Sequence, residues 1–136
     1  MTVQRSELFE VRSANDIVRV RQRMREWAVE AGFSLVDQTK VVTAASELTR
    51  NTLEHGGGGT ARVELLADGG RRGLRLICED TGPGIADVQL ALKDGYTSRG
   101  GLGLGLGGAR RLVNDFAIES QVGQGTRVTV TRWKTA

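Results

Sequence analysis

The sequence predicts an α/β two-layer sandwich, in which a mixed, largely antiparallel sheet carries its helices on one face. Two helical patterns occupy residues 17–31 and 34–55, and they are followed by two pairs of strand patterns that are joined by glycine-rich turns. The 136 residues, of which 39% are apolar, are enough for one hydrophobic core but not for two. We therefore predict a single domain over residues 1–136.

The first elements are a short strand and two helices. Residues 7–12 alternate weakly and are charged, which is typical of a strand at the edge of a sheet. Apolar residues recur at helical spacing over residues 17–31, and Gly32 supplies the end of that helix. A second helix over residues 34–55 ends at the four glycines 56–59.

The second helix carries a polar stripe beside its apolar face. Its start resembles a capping box, because the Ser34 hydroxyl can accept a hydrogen bond from the N–H of Asp37. Glu47, Asn51 and His55 follow at i, i+4 and i+8, so they lie along one side of the helix. Polar side chains that flank a core face indicate the border of a functional site rather than plain solvent exposure.

The next two strand patterns predict an antiparallel hairpin that ends in a tight loop. Residues 60–66 and 74–79 alternate as strands, and the residues between them are rich in turn formers. The second strand continues into Asp80-Thr-Gly82-Pro-Gly84-Ile85. An aspartate at a strand end, followed by two glycines around a proline, places an acceptor carboxylate at the start of the loop.

The last third of the chain predicts two more helical stretches and a second hairpin. Residues 86–93 form a short helical pattern, and the polar residues 94–100 are where we expect a mobile flap over a ligand. A helix is predicted over residues 107–114, and strands over 116–122 and 126–132.

A glycine-rich segment precedes that helix. Six glycines fall within residues 100–108, and the residues between Gly101 and Gly107 are leucines at alternate positions. Glycine lets backbone N–H groups converge on one point, and a helix N-terminus adds positive partial charge, so the segment predicts a phosphate-binding loop. A flexible linker would mix glycine with serine and polar residues instead.

Two common phosphate loops do not fit this segment. The sequence has no Gly-x-x-x-x-Gly-Lys-Ser/Thr motif, which excludes the P-loop. Gly103-x-Gly105-x-x-Gly108 matches the dinucleotide fingerprint, but residues 96–99 before it are not a buried strand. Residues 109–136 are also too few for the rest of a doubly wound sheet.

Composition restricts the class of partner and the compartment. The net charge is +3, but the basic residues are spread along the chain and aromatic residues make up only 4%, so we do not expect a nucleic-acid partner. No apolar run is long enough for a membrane span and no signal peptide is apparent, which predicts a cytoplasmic protein without membrane contact. The single cysteine, Cys78, lies in a strand pattern and is expected in the core.

Four motifs stand in order along the chain: Glu47-x-x-x-Asn51, Asp80-x-Gly82-x-Gly84, Gly101-x-Gly103-x-Gly105 and Gly123-x-Gly125-Thr126. Together they resemble the N, G1, G2 and G3 boxes of the Bergerat-fold (GHKL) ATP-binding proteins. Within that family the chain is most similar to the small anti-sigma and switch serine-protein kinases, including those of the bacterial stressosome. His55 is more similar to the anti-sigma kinases, and the run of glycines 56–59 is unusual for the stressosome kinases.

The resemblance implies that the chain uses ATP and Mg²⁺, with a role for each motif. Asp80 would accept the adenine amino group with Thr126 nearby, and Asn51 would bind Mg²⁺ through its amide oxygen. Glu47 would orient and deprotonate the attacking hydroxyl. The nucleotide-binding residues implied by the resemblance are Asn51, Asp80, Gly82, Gly84, Ile85, Ser98, Gly101, Leu102, Gly103, Leu104, Gly105 and Thr126.

Three functions remain open at this point. The first is a serine/threonine-protein kinase that phosphorylates a serine of a STAS-domain antagonist or scaffold and so switches partners in sigma-factor regulation. The second is a non-catalytic ATP-binding module that sequesters a sigma factor or activates a PP2C-type phosphatase, and the third is ATP hydrolysis without a partner. A purely structural role for Glu47, paired with Arg50 or Arg99, is the alternative to catalysis.

Overall fold

The computed structural model describes residues 1–93 and 105–134. Within these ranges the elements, in chain order, are β1 (Thr2–Val11), α1 (Ala14–Glu30), α2 (Leu35–Glu54), β2 (Gly59–Asp68), β3 (Arg71–Asp80), α3 (Val88–Ala91), α4 (Gly105–Arg111), β4 (Asp115–Gln121) and β5 (Gly125–Trp133). Each predicted strand and helix is therefore present in the described part of the chain. The bounds differ by a few residues except at β1, which begins five residues earlier than predicted.

The five strands form one sheet in the order β1-β2-β3-β5-β4. Every neighbouring pair among them is antiparallel, so the described sheet has no parallel member. β1 lies at one edge, as predicted for a charged strand. The two predicted hairpins, β2–β3 and β4–β5, are confirmed, and pairing of β3 with β5 joins them into one layer.

The helices cover one face of this sheet. Alternate residues of β3 point towards them, so that Leu74, Leu76 and Cys78 are almost completely buried. The equivalent alternation on β5 buries Val128 and Val130 beside them. The predicted two-layer sandwich is therefore confirmed, and Cys78 occupies the core position that its strand pattern indicated.

The ends of the two long helices follow from their sequences. The Ser34 hydroxyl accepts from the N–H of Asp37 at 3.1 Å, which confirms the predicted cap of α2. At the start of α1, the Asp16 carboxylate accepts from the backbone N–H groups of Arg12 and Ser13. Gly32 follows the last turn of α1 with φ of +84°, the conformation in which glycine commonly ends a helix.

Helix α4 begins at Gly105 and packs against α2 and α3. Gly107 makes this packing possible, because a Cβ there would collide with the carbonyl group of Leu92. The buried side chains of Leu106 and Ala109 attach α4 to the common core. In the described part of the chain, no helix combines the length and hydrophobicity that a membrane crossing requires.

Candidate functional site

A row of polar side chains crosses three strands at one end of the sheet. Asp80, at the end of β3, lies directly opposite Thr126 of β5. Thr126 in turn lies opposite Ser120 of β4. All three side chains share the helix-covered face, because each is an even number of residues from a buried core position of its own strand. The aspartate and threonine that the sequence predicted for one site therefore stand side by side.

The Asp80 carboxylate is held between its own loop and the end of α2. Its Oδ1 accepts a hydrogen bond from the Gly82 N–H at 3.0 Å. On the other side it lies so close to Gly56 that a Cβ on this glycine would overlap the carboxylate. The Gly56 N–H donates to the carbonyl oxygen of Asn51 at 3.2 Å. Gly56 therefore joins the predicted adenine-binding aspartate to the helix turn that carries Asn51.

Glycines also position the loop after β3. The backbone of Gly82 passes directly over that of Gly56, leaving no space for a side chain. Gly84 has φ of +75° and lies against the carbonyl of Gln121. The carbonyl of Pro83 accepts from the Gly123 N–H at 2.8 Å, so the loop is fastened to the turn between β4 and β5.

Ser120 connects this loop to the sheet, and the sequence analysis did not identify it. Its hydroxyl accepts from the Ile85 N–H at 2.8 Å and lies 2.8 Å from the Thr126 hydroxyl. Ile85 and Thr126 were both predicted to bind nucleotide, and Ser120 contacts both. The register of the β4–β5 hairpin, which places Ser120 opposite Thr126, is the signal from which it could have been found.

The polar stripe of α2 passes from the core to the surface. Glu47 is buried, with 7% of its surface exposed, Asn51 is half-buried and His55 is exposed. Glu47 pairs with Arg50, whose Nη1 lies 3.8 Å from Oε1. This is the structural pairing considered above, but it is long and its arginine is 39% exposed, so it contributes little stability.

The cysteine beneath the site is not a nucleophile. The pKa of the Cys78 thiol is raised to about 12, chiefly by burial and to a smaller extent by the nearby Asp80 carboxylate, while hydrogen bonds with Thr49 and Thr52 act in the opposite direction. The thiol is therefore neutral at physiological pH. It fills the space between β3 and α2 below Asp80.

The flap predicted over residues 94–100 and five of the predicted nucleotide-binding residues fall outside the described ranges. Ser98, Gly101, Leu102, Gly103 and Leu104 lie outside the described residues. Gly105, the last member of the predicted phosphate loop, is the first residue of α4 and has φ of +70°. The predicted phosphate loop therefore leads into a helix that packs against α2, the helix that carries Glu47 and Asn51.

The described residues contain no group of three or more His, Cys, Asp or Glu side chains suited to holding a metal ion. The predicted Mg²⁺ ligand on α2 is instead the single amide oxygen of Asn51, one helix turn after Glu47. One hard oxygen ligand from the protein suits Mg²⁺ that takes its remaining ligands from phosphates and water.

Comparison with known proteins agrees with this geometry. Residues 36–136 match the family described as histidine kinase-, DNA gyrase B-, and HSP90-like ATPase. Serine/threonine-protein kinase RsbT of Bacillus subtilis (strain 168) is 45% identical over 118 residues, which cover 87% of this chain and 89% of RsbT. An anti-sigma F factor of Clostridium kluyveri is 34% identical over 101 residues, which cover 70% of each chain.

A solved structure shares the whole fold. The crystal structure of the RsbU and RsbW domains of a Mycobacterium tuberculosis protein superposes with a TM-score of 0.66 at 25% identity, covering 98% of this chain. The present chain spans 34% of that longer one. The family match, the relatives and the shared fold confirm the resemblance drawn from the four motifs: the chain belongs to the GHKL family of histidine kinase-, DNA gyrase B- and HSP90-like ATPases, among relatives that include RsbT and the anti-sigma F factors.

Proposed function

We propose that this chain is an ATP-dependent serine/threonine-protein kinase that acts as a partner switch in bacterial stress signalling. One observation carries the proposal: Gly56 brings the Asp80 carboxylate against the turn of α2 that contains Asn51, one helix turn after the buried Glu47. The proposed base-binding group, metal ligand and general base therefore lie on adjoining elements. The 45% identity to the kinase RsbT supports the same activity.

The nucleotide base would bind at the polar row. Asp80 Oδ1 is occupied by the Gly82 N–H, which leaves Oδ2 to accept from the amino group of adenine. Gly82 and Gly84 let the backbone approach the base, and Ile85 and Thr126 line the same end of the sheet. We assign the phosphates to Ser98 and to the backbone of residues 101–105, on the family motif.

Mg²⁺ would be bound through the amide oxygen of Asn51. The half-buried position of Asn51 suits an ion shared with the phosphates, and the absence of a carboxylate cluster among residues 1–93 and 105–134 argues against a site built from protein ligands alone. When bound, the ion neutralises negative charge on the phosphates during transfer.

Glu47 is the general base in this proposal. The hydroxyl oxygen of the substrate serine attacks the γ-phosphorus as the bond from that phosphorus to the bridging oxygen of ADP breaks. The hydroxyl proton passes to the Glu47 carboxylate, and the products are phosphoserine and ADP. Burial of Glu47 in α2 restricts the positions of its carboxylate, which favours a fixed orientation towards the substrate hydroxyl.

The substrate in this proposal is a serine of a STAS-domain antagonist or scaffold in the cytoplasm. A phosphate added at the docked surface would weaken that complex through charge repulsion and desolvation, and would free the kinase for a PP2C-type phosphatase or a sigma factor. The second candidate is a non-catalytic ATP-binding anti-sigma factor. The 34% identity to anti-sigma F factors supports the sigma-factor partner in this alternative.

The substitution Glu47→Gln separates these two functions. It keeps the size of the buried side chain and removes the base, so transfer of labelled phosphate to a STAS-domain serine should fall at least about 100-fold. The affinity for Mg-ATP, measured by calorimetry, should change less than about threefold, because the carboxylate is assigned to the transfer step. The matched control is Glu54→Gln, which neutralises an exposed carboxylate of the same helix and should leave transfer unchanged.

The outcome of these measurements decides between the kinase and the non-catalytic alternative. Transfer that persists in Glu47→Gln contradicts the base assignment. A wild-type chain that binds Mg-ATP and a sigma factor but phosphorylates no STAS-domain serine supports the non-catalytic alternative.

A further inference from the structure

The hydroxyl of Ser120 lies at the centre of three contacts. It accepts from the Ile85 N–H at 2.8 Å, it is 3.2 Å from the carbonyl oxygen of Gly125, and it is 2.8 Å from the hydroxyl oxygen of Thr126. Ile85 is 35 residues away in sequence, so the contact depends on the tertiary fold. Ser120 therefore joins the loop after β3 to the start of β5.

Only one arrangement of protons makes all three of these contacts hydrogen bonds at the same time. A serine hydroxyl has one proton to donate and two lone pairs that accept. In that arrangement Ser120 accepts from the Ile85 N–H, which can only donate, and donates its single proton to the Gly125 carbonyl, which can only accept. The bond to Thr126 is then formed only if Thr126 donates to Ser120.

This direction determines what Thr126 can offer a ligand. With its proton committed to Ser120, the Thr126 hydroxyl presents lone pairs only. Asp80, directly across the strand pair, is also an acceptor. The row thus places two acceptors side by side, which suits an exocyclic amino group with its two N–H donors. A carbonyl oxygen in the same place would face two acceptors without a proton between them.

We propose that Ser120 is a positioning residue for base specificity: it holds the Thr126 hydroxyl as an acceptor and thereby favours adenine over guanine nucleotides. The inference rests on the proposed ATP site and adds to it a residue outside the four motifs. Without Ser120, the Thr126 proton is free to turn towards the ligand and donate to the carbonyl oxygen of guanine. The preference for adenine over guanine nucleotides is then reduced, whereas nucleotide binding as a whole is not.

Dissociation constants for ATP and GTP, both with magnesium, test this directly. Ser120→Ala should lower the preference for ATP over GTP by about five- to tenfold, the size of one neutral hydrogen bond. Thr126→Val, which removes the hydroxyl and keeps the shape of the side chain, should lower the preference similarly. In the Thr126→Val background, Ser120→Ala should produce no further change in the ratio. Ser120→Thr retains a hydroxyl and should restore the wild-type preference.

Thr129→Val is the matched control. Thr129 lies on β5 like Thr126 but on the opposite face of the sheet, paired with Ile77 and Ala117. Its substitution should leave both dissociation constants unchanged. Thermal unfolding of every variant shows whether each one is folded at the temperature of the binding measurement.

Two results would overturn the inference about Ser120 without contradicting the proposed ATP site. Equal weakening of ATP and GTP by Ser120→Ala would show that Ser120 acts only by holding Ile85 and its loop. Independent, additive effects of Ser120→Ala and Thr126→Val on the ratio would show that the two hydroxyls are not coupled. A wild-type chain that binds neither nucleotide overturns the proposed function itself, and the inference with it.

Discussion

Gly56 shows how a single residue decides the shape of this site. The run of glycines 56–59 is a departure from the stressosome kinases at the level of sequence, and the structure gives it a cause. A side chain at Gly56 would overlap the Asp80 carboxylate, and one at Gly59 would collide with the carbonyl of Glu79. Gly58 has φ of +102° and approaches the carbonyl of Val11. The run is therefore required by close backbone approach and positive φ, not by flexibility.

Cys78 provides a test of the burial beneath the site. Its folded pKa of about 12 exceeds the ordinary value of 9.0, so the thiol stabilises the fold fully below pH 9 and this contribution is lost as the pH rises towards 12. Between pH 7 and pH 10.5, we expect the free energy of unfolding to fall by about 2 kcal/mol more in the wild type than in Cys78→Ala. Urea unfolding at both values measures the difference. Parallel pH profiles for the two proteins would contradict the burial of this thiol.

Among the secondary-structure elements, α2 is connected to β5 and to the residue that follows α4 through one buried ion pair. Arg132 of β5 donates to Asp37 at 2.6 Å through Nη2 and to the carbonyl of Leu112 at 2.8 Å through Nη1. The two side chains are only 12% and 9% exposed. Because Asp37 lies in the first turn of α2 and Leu112 follows α4, Arg132 sets the relative position of the two helices that flank the predicted ATP site.

Arg132→Met should therefore affect both stability and transfer. Removing the guanidinium from a buried carboxylate is expected to cost about 3 kcal/mol, measured by urea unfolding, and to reduce phosphate transfer in the folded protein. Asp37→Leu combined with Arg132→Met should recover most of the stability, because an apolar pair needs no partner charge. The matched control is Arg75→Met, which breaks the Glu64–Arg75 ion pair on the other face of the sheet. If Arg75→Met reduces transfer as much as Arg132→Met, the positioning role is wrong.

Local sequence patterns predicted the elements well, and long-range contacts could not be predicted from them. Periodicity gave both long helices and both hairpins, because side-chain burial repeats within each element. The first residues of β1 were missed, since they are exposed and pair through the backbone, with a register shift between Val3 and Arg5. Ser120 was missed for a related reason. Its role depends on a contact between β4 and Ile85, a loop residue 35 positions away in the sequence.

In the molecule as a whole, the helices and strands could be predicted from the sequence, whereas the site depends on which distant segments meet in the folded chain. The sheet order β1-β2-β3-β5-β4 places the ends of three strands and one helix together. The motif that begins at Glu47 lies on α2, and the motif that begins at Asp80 starts at the end of β3. The order of the strands brings these two motifs together at Gly56. The family resemblance carried the site prediction further than periodicity could, because spacing alone does not reveal which distant segments touch.

Because the site joins α2, β3 and β5, ligand binding should stabilise the entire fold. Mg-ATP at 100 times its dissociation constant should add about 2.7 kcal/mol to the free energy of unfolding and raise Tm by about 9 °C for a domain of this size. Asp80→Asn should lose most of this rise in Tm, because an amide has only one acceptor oxygen where the carboxylate has two. In the wild type, chelation of magnesium with EDTA should also reduce the rise. Asp68→Asn, at an aspartate on β2 away from the polar row, is the control and should keep the full rise. An equal rise in Asp80→Asn would mean that the nucleotide base binds away from Asp80, and a rise that EDTA does not reduce would mean that binding does not require magnesium.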